Sequence, residues 1–185
     1  MRLETERLIL REWNKNDSSD SVEGLNNLEV SRWLALIPHP YTKKDAKSWI
    51  KYCNENAKKV KGRTYHFAVY LKSEKKVIGE ISIDKIDRFN GIGSGGYWIN
   101  AKYQKKGYGT EVLAAELDFA FSKLRLRRME SGFFKGNPSS FRLQKKFGFK
   151  IEGLRRKGVK CKADGKLKDE YITALLKEDW KKKGF

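Results

Sequence analysis

Leu3, Leu8, Ile9 and Leu10 stand among charged residues at the start of the chain, the pattern of an extended segment ending near Trp13. The polar run 14–20 reads as a turn into a helix, and a second short helix is predicted over 26–36. Pro38-His39-Pro40 stops it, because proline disfavours helix at its own position and at the one before. Thr42-Lys43-Lys44-Asp45 then supplies an N-cap with an acid three residues on, and the helix it opens is predicted to reach Lys59 and bury Ala46, Trp49, Ile50 and Cys53. Residues 65–71 and 76–84 are β-branched, aromatic or alternating and are joined by polar 72–75, which predicts an antiparallel hairpin, with a further strand over 95–99. Leu113, Leu117, Ala120, Phe121 and Leu124 recur at helical spacing after Gly107-Tyr108-Gly109-Thr110 and mark an amphipathic helix. A strand over 129–134, a short helix over 138–146 and two strands over 147–159 and 167–176 around Ala163-Asp164-Gly165 complete the pattern. Strands and helices mixed around one sheet predict an α/β (α+β) fold, with no repeat or linker to divide residues 1–185 into more than a single domain.

Composition narrows the partners. With 39% hydrophobic and 35% charged residues, the chain has enough apolar material for a core under a heavily charged surface. No apolar run approaches the ~20 residues of a membrane span, and the mixed charges of residues 1–13 are unlike a signal peptide, so a cytoplasmic protein without a membrane partner is expected. A net charge of +18, thickest over 123–128 and 142–162, favours anionic partners such as nucleic acid, an acidic protein surface or a phosphate-rich cofactor, or serves solubility alone. It repels a polycationic substrate unless a local acidic pocket overrides the field. Cys53 and Cys161 lack CxxC spacing and read as incidental thiols. His39 and His66 are the only histidines, and no clustered Asp, Glu and Cys set replaces a multi-histidine site, so no metal is expected.

The sharpest local signal is Gln104-Lys105-Lys106-Gly107-Tyr108-Gly109-Thr110, between a predicted strand and the start of the long helix. Glycines let the backbone approach a ligand, successive N–H groups form an anion nest, and the helix N-terminus adds the positive end of its dipole. Lys105 and Lys106 add charge at the same place, and a pyrophosphate fits such a loop. A plain strand-to-helix turn is the alternative.

The spacing Q-x-x-G-x-G in this position resembles the coenzyme A pyrophosphate loop of the GNAT acetyltransferases. Gly96-Tyr97-Trp98-Ile99 precedes it, Tyr103 adjoins it, and Asn137-Pro138-Ser139-Ser140-Phe141-Arg142 and Phe147-Gly148-Phe149 follow. With Glu4-Thr5-Glu6-Arg7-Leu8, Pro40-Tyr41-Thr42, Ile78-Gly79, Glu152-Gly153 and the ending from Tyr171 to Trp180, the pattern is similar to the RimJ/RimL branch over nearly the whole chain. The resemblance implies a mixed, mostly antiparallel sheet of about six to seven strands flanked by helices, with a V-shaped split between central strands. It implies acetyl-coenzyme A (acetyl-CoA) as cosubstrate, bound by Trp98, Ile99, Ala101, Gln104, Lys105, Lys106, Gly107, Tyr108, Gly109, Thr110, Asn137, Ser140 and Arg142. The acceptor implied is an amine, foremost a protein N-terminus, with ribosome association and a monomer or homodimer as further expectations. A small amine or amino sugar, and a non-catalytic nucleic-acid or ribosome-binding module of the same fold, are the alternatives.

Direct attack of an amine on the thioester needs a base, donors for the tetrahedral oxygen and a partner for the leaving thiolate. A lysine amine starts near pKa ~10.4 and an α-amine near ~8, so an N-terminus needs less help from a base. Glu80 and Glu130 are the candidate bases, with a water chain as the alternative; the backbone near Trp98 and Ile99 is where the resemblance places the oxyanion donors. Many family members carry a tyrosine where this chain has Gln144, which cannot act as an acid, and the RimJ/RimL likeness points to Ser140 instead. Helix capping by Asn137 and a surface hydroxyl at Ser140 are the plainer readings. For Tyr97, Trp98 and Tyr103, core packing competes with a place in the acceptor cleft. Gly91-Ile92-Gly93-Ser94-Gly95-Gly96 satisfies G-x-G-x-x-G, but a strand follows it where a dinucleotide fold requires a helix.

Overall fold

The computed structural model describes residues 1–59 and 64–180. Its strands are β1 (Arg2–Glu4), β2 (Leu8–Arg11), β3 (Tyr65–Leu71), β4 (Lys76–Asp87), β5 (Ile92–Ile99), β6 (Arg128–Phe134), β7 (Lys150–Lys160) and β8 (Leu167–Leu176). They form one eight-stranded sheet in the order β1-β2-β3-β4-β5-β6-β8-β7. Every neighbouring pair is antiparallel except β5 and β6, which run parallel.

Helices cover both faces. On one lie α1 (Ser18–Leu25), α2 (Leu28–Ser31) and α3 (Lys43–Ala57), where Leu25, Val30, Ala46, Ile50 and Cys53 pack with Ala68 and Trp98 of the sheet. Thr42 opens α3 as expected, its hydroxyl accepting from the Asp45 amide while the Asp45 carboxylate accepts from the Thr42 amide. Ala46, Ile50 and Cys53 then fall on one stripe, and full burial of a side chain such as Ile50 contributes about 1.5–3 kcal/mol. On the other face lie α4 (Tyr108–Asp118), continued by a π-helical turn over Phe119–Lys123, and α5 (Pro138–Phe147). There Val112, Leu113 and Leu117 pack on Phe67, Ile81, Ile99 and Met129.

Several boundaries differ from expectation for local reasons. The opening segment is two strands, because the Thr5 amide donates to the Leu8 carbonyl and the Thr5 hydroxyl accepts from the Leu8 amide, folding β1 back on β2. This turn takes the count past the six to seven strands that the resemblance implies. The helix predicted over 26–36 lasts only Leu28–Ser31. β5 begins at Ile92 rather than 95, so the glycine run is itself strand, as required where a Cβ on Gly95 would lie 2.1 Å from the Ser82 carbonyl oxygen. Phe147 ends α5 instead of starting a strand, with Gly148 as the left-handed cap at φ 92°.

Candidate active site

β5 and β6 pair at only three positions, Ile92 with Arg128, Gly93 with Met129 and Ser94 with Glu130. Beyond them the strands diverge, and the Ser131 hydroxyl donates to the Gly95 carbonyl at 3.2 Å across the vertex. The result is a V-shaped split. On the α4 side of the vertex, Glu116 is buried with one carboxylate oxygen unpartnered among the described residues, and burial pushes its carboxyl well above the usual range. Past the vertex, Gly96, Tyr97, Trp98 and Ile99 border a cleft of about 460 Å³.

The glycine loop forms its mouth. Gln104 donates to the Ile99 carbonyl at 2.8 Å, tying the loop to the end of β5, and Gly107 caps α4 in the left-handed region at φ 86°. The first intrahelical bond of α4 runs from the Glu111 amide to the Gly107 carbonyl. The N–H groups of Tyr108, Gly109 and Thr110 thus precede the helix ladder, the arrangement that binds anions. Glu111 anchors this end from behind. Its carboxylate accepts from the Thr5 hydroxyl at 2.5 Å, the Arg7 amide at 2.9 Å and Arg7 Nε at 2.7 Å, while Arg7 also donates to the Lys106 carbonyl at 3.0 Å. Burial opposes ionisation, yet the bonds from Thr5 and Arg7 hold the Glu111 carboxyl below the usual range.

The far wall is α5. Asn137 caps it by accepting from the Ser140 amide at 3.2 Å, and the Ser140 hydroxyl lies 3.0 Å from the Tyr97 hydroxyl. Gln144 is buried and used in both directions, donating to Ser131 at 3.2 Å and accepting from Thr173 at 2.7 Å. Glu29, Val30, Trp33 and Leu34 roof the cleft. The tip of the β7–β8 hairpin closes on this roof through the Lys162 amide, which donates to the Ala35 carbonyl at 3.0 Å, with Cys161 buried beside the carbonyls of Arg32 and Leu34.

Of the residues expected from sequence, Trp98, Ile99, Gln104, Lys105, Gly107, Gly109, Thr110, Asn137, Ser140 and Arg142 border this one cleft. Ala101, Lys106 and Tyr108 are not among its lining: Ala101 packs beside Trp98, the Lys106 ammonium lies over the Tyr103 ring, and Tyr108 lies under the Arg7 guanidinium. Tyr103 turns its hydroxyl to Glu74. Both candidate bases also lie outside the lining. Glu80 accepts from Trp49 Nε1 at 2.8 Å and pairs with His66 Nδ1 at 3.1 Å, and Glu130 accepts from Arg128 at 2.9 Å at the closed end of the split. The Thr5–Arg7–Glu111 clamp went unread in the sequence; its one local signal is an acid in the first turn of the helix that follows the glycine loop.

His66 sits between two carboxylates, with Nε2 3.1 Å from Asp84 opposite the Glu80 contact. Burial alone would lower its pKa, but Asp84 and Glu80 outweigh it and push the imidazole up to about 9. Because the folded value lies above the unfolded ~6.5, the stabilisation is complete below that pH and lost as pH rises through about 9. Denaturant unfolding at pH 6 and pH 9.5 is expected to show a loss of roughly 3 kcal/mol that a His66→Gln variant lacks. Cys53, His66 and Glu80 also bring ligand atoms within 4.8 Å of one another, a grouping that the spacing of these residues in the chain did not suggest. Burial pushes the Cys53 thiol up, and the Glu80 carboxylate is already engaged by Trp49 and His66, with the thiol packed close to both His66 and Glu80.

A family model described as an acetyltransferase (GNAT) domain matches residues 7–150. The uncharacterized N-acetyltransferase YnaD of Bacillus subtilis (strain 168) is 32% identical over 184 residues, which cover 97% of this chain and 99% of that protein. The crystal structure of ribosomal-protein-S5-alanine acetyltransferase from Vibrio fischeri superposes with a TM-score of 0.77 at 26% identity, covering 98% of this chain and 99% of that one. Mycobacterium smegmatis RimJ, in complex with CoA-disulfide, shares the fold at a TM-score of 0.80 and 21% identity over 93% of this chain and 83% of its own. The split sheet, the loop at its mouth and these matches agree: the chain belongs to the GNAT acetyltransferase family and is an N-acetyltransferase of RimJ/RimL-like type.

Proposed function

We propose that this enzyme transfers the acetyl group of acetyl-CoA to the α-amine of a protein N-terminus by direct attack. The observation that carries the reading is the continuity of the cleft, from the helix N-terminus at its mouth to the free edge of β5 and on to Ser140. The pyrophosphate is assigned to the N–H groups of Gly109 and Thr110, with Lys105 and Arg142 beside it, and the pantetheine to the backbone of residues 96–99. Main-chain N–H and C=O groups there do not depend on side-chain identity.

The acceptor is argued from the cleft's chemistry. Among the described residues lining it, Glu29 is the one carboxylate, and its side chain is 74% exposed on the roof. An α-amine near pKa ~8 is partly neutral at physiological pH and reacts with water as proton carrier, whereas a lysine amine near ~10.4 needs a positioned base. The S5-alanine acetyltransferase among the similar structures supports the same acceptor class. The +18 charge suits an N-terminus presented by an anionic assembly such as a ribosome.

Mass spectrometry after incubation with acetyl-CoA and a panel of free and N-blocked peptides tests this. Single acetylation at the α-amine of free peptides is expected. Modification of lysine in the blocked peptides, or of small amines alone, would overturn the reading.

A further inference from the structure

The departing thiolate needs a hydrogen-bond donor inside the cleft, and Gln144, bonded to Ser131 and Thr173, is buried outside the cleft's lining. Lys105, Arg142 and Lys146 line the cleft only with exposed side chains at its mouth. Tyr97 is different: it stands on the segment of β5 past the last β6 pair, and its hydroxyl meets Ser140 at 3.0 Å. Neither oxygen has another hydrogen-bond partner among the described residues. A pair of hydroxyls holds two protons and uses one between them, so the second is free to enter the cleft that both side chains line. Both groups are held by regular structure, Tyr97 by the β4–β5 ladder opposite Ile81 and Ser140 by the first turn of α5.

We propose that Tyr97, backed by Ser140, is the catalytic donor to the leaving sulfur of coenzyme A. As the nitrogen–carbon bond forms, the carbon–sulfur bond breaks with its electron pair leaving on sulfur. The phenol O–H donates a hydrogen bond to that sulfur and keeps its own proton. The acceptor nitrogen sheds its proton to water and the thiolate takes one from water on release, so the net change is one proton moved from nitrogen to sulfur. Burial pushes the phenol up to about 12, partly offset by the bond from Ser140, which keeps it a neutral donor at physiological pH. A thiol near ~8.5 is the stronger acid, so the phenol stabilises the thiolate by hydrogen bonding and does not give up its proton.

The proposal rests on the acetyl-CoA reading above, and two readouts on Tyr97→Phe separate them. The first needs no acceptor: the thiolate absorbance of coenzyme A is titrated with pH in the presence of excess protein. In the wild type the bound thiol should titrate about one unit below its free ~8.5, with much of that shift lost in Tyr97→Phe and part of it in Ser140→Ala. In turnover with acetyl-CoA, Tyr97→Phe should lower kcat about 100-fold with KM for acetyl-CoA unchanged, and thermal melts should match the wild type. Identical bound-thiol titrations in wild type and Tyr97→Phe, or an unchanged kcat, would overturn the role of Tyr97 alone. A wild type that does not bind coenzyme A would overturn the cofactor reading with it, and one that binds but acetylates no peptide would overturn the acceptor reading while the titration still decides for Tyr97.

Discussion

A chain carrying Gly107→Asp and Gly109→Asp together is expected to fold and to give no calorimetric signal with acetyl-CoA. Two new carboxylates at the mouth of the cleft would face the pyrophosphate across the N–H groups proposed above to bind it. Like charges set against each other cost several kcal/mol, on the order of a 10³-fold loss of affinity. The fold should survive for two reasons. Acids at a helix N-terminus favour the helix itself, and a side chain at 107 would meet the Arg7 guanidinium, 3.2 Å from a Cβ placed there, offsetting about 1–2 kcal/mol of left-handed strain. Binding that persists in this variant would mean that the glycine loop is not the phosphate site.

The second large effect belongs to the vertex. A methyl on Gly95 would lie 2.1 Å from the Ser82 carbonyl oxygen and 2.8 Å from a Glu116 carboxylate oxygen. One of these is backbone in the neighbouring strand, and the other is a buried carboxyl with little room. Gly95→Ala should therefore cost about 3 kcal/mol or more, lowering the melting temperature by roughly 6–12 °C in a chain of this length. Gly96→Ala is the matched control, since nothing lies within 4 Å of its added methyl, and its melt should be near that of the wild type. Equal melts for the two variants would show that β4 and β5 can spread at the vertex.

The glycine loop was legible because its signal is local: spacing, neighbouring lysines and a position between strand and helix all fall within residues 104–110. Asn137 was legible in the same way, as a polar residue before Pro138 and a helical run, and its side chain does cap α5. Glu80 and Glu130 show the limit. Strand alternation places a side chain on one face of a sheet or the other, but which face meets the cleft depends on elements distant in sequence. Trp49 of α3 holds Glu80, while Glu130, bonded to Arg128 two residues before it on β6, stands at the β5–β6 vertex opposite Ser94. Tyr97 resisted for a related reason, since an aromatic residue in a strand carries the same pattern whether it fills a core or points a hydroxyl at Ser140, 43 positions away. The clamp of Arg7 on Glu111 spans 104 positions and leaves no periodic trace.

The closure of the β7–β8 hairpin on the roof also bears on which lining residues can change. Its anchoring bond, from the Lys162 amide to the Ala35 carbonyl, is main chain to main chain, and Trp33 and Leu34 beside it are free of that duty. Side chains at those two roof positions can change without unlatching the hairpin and without touching the glycine loop at the other end of the cleft. The lining under the roof is thereby open to alteration one residue at a time while the attachment of the hairpin stays as it is.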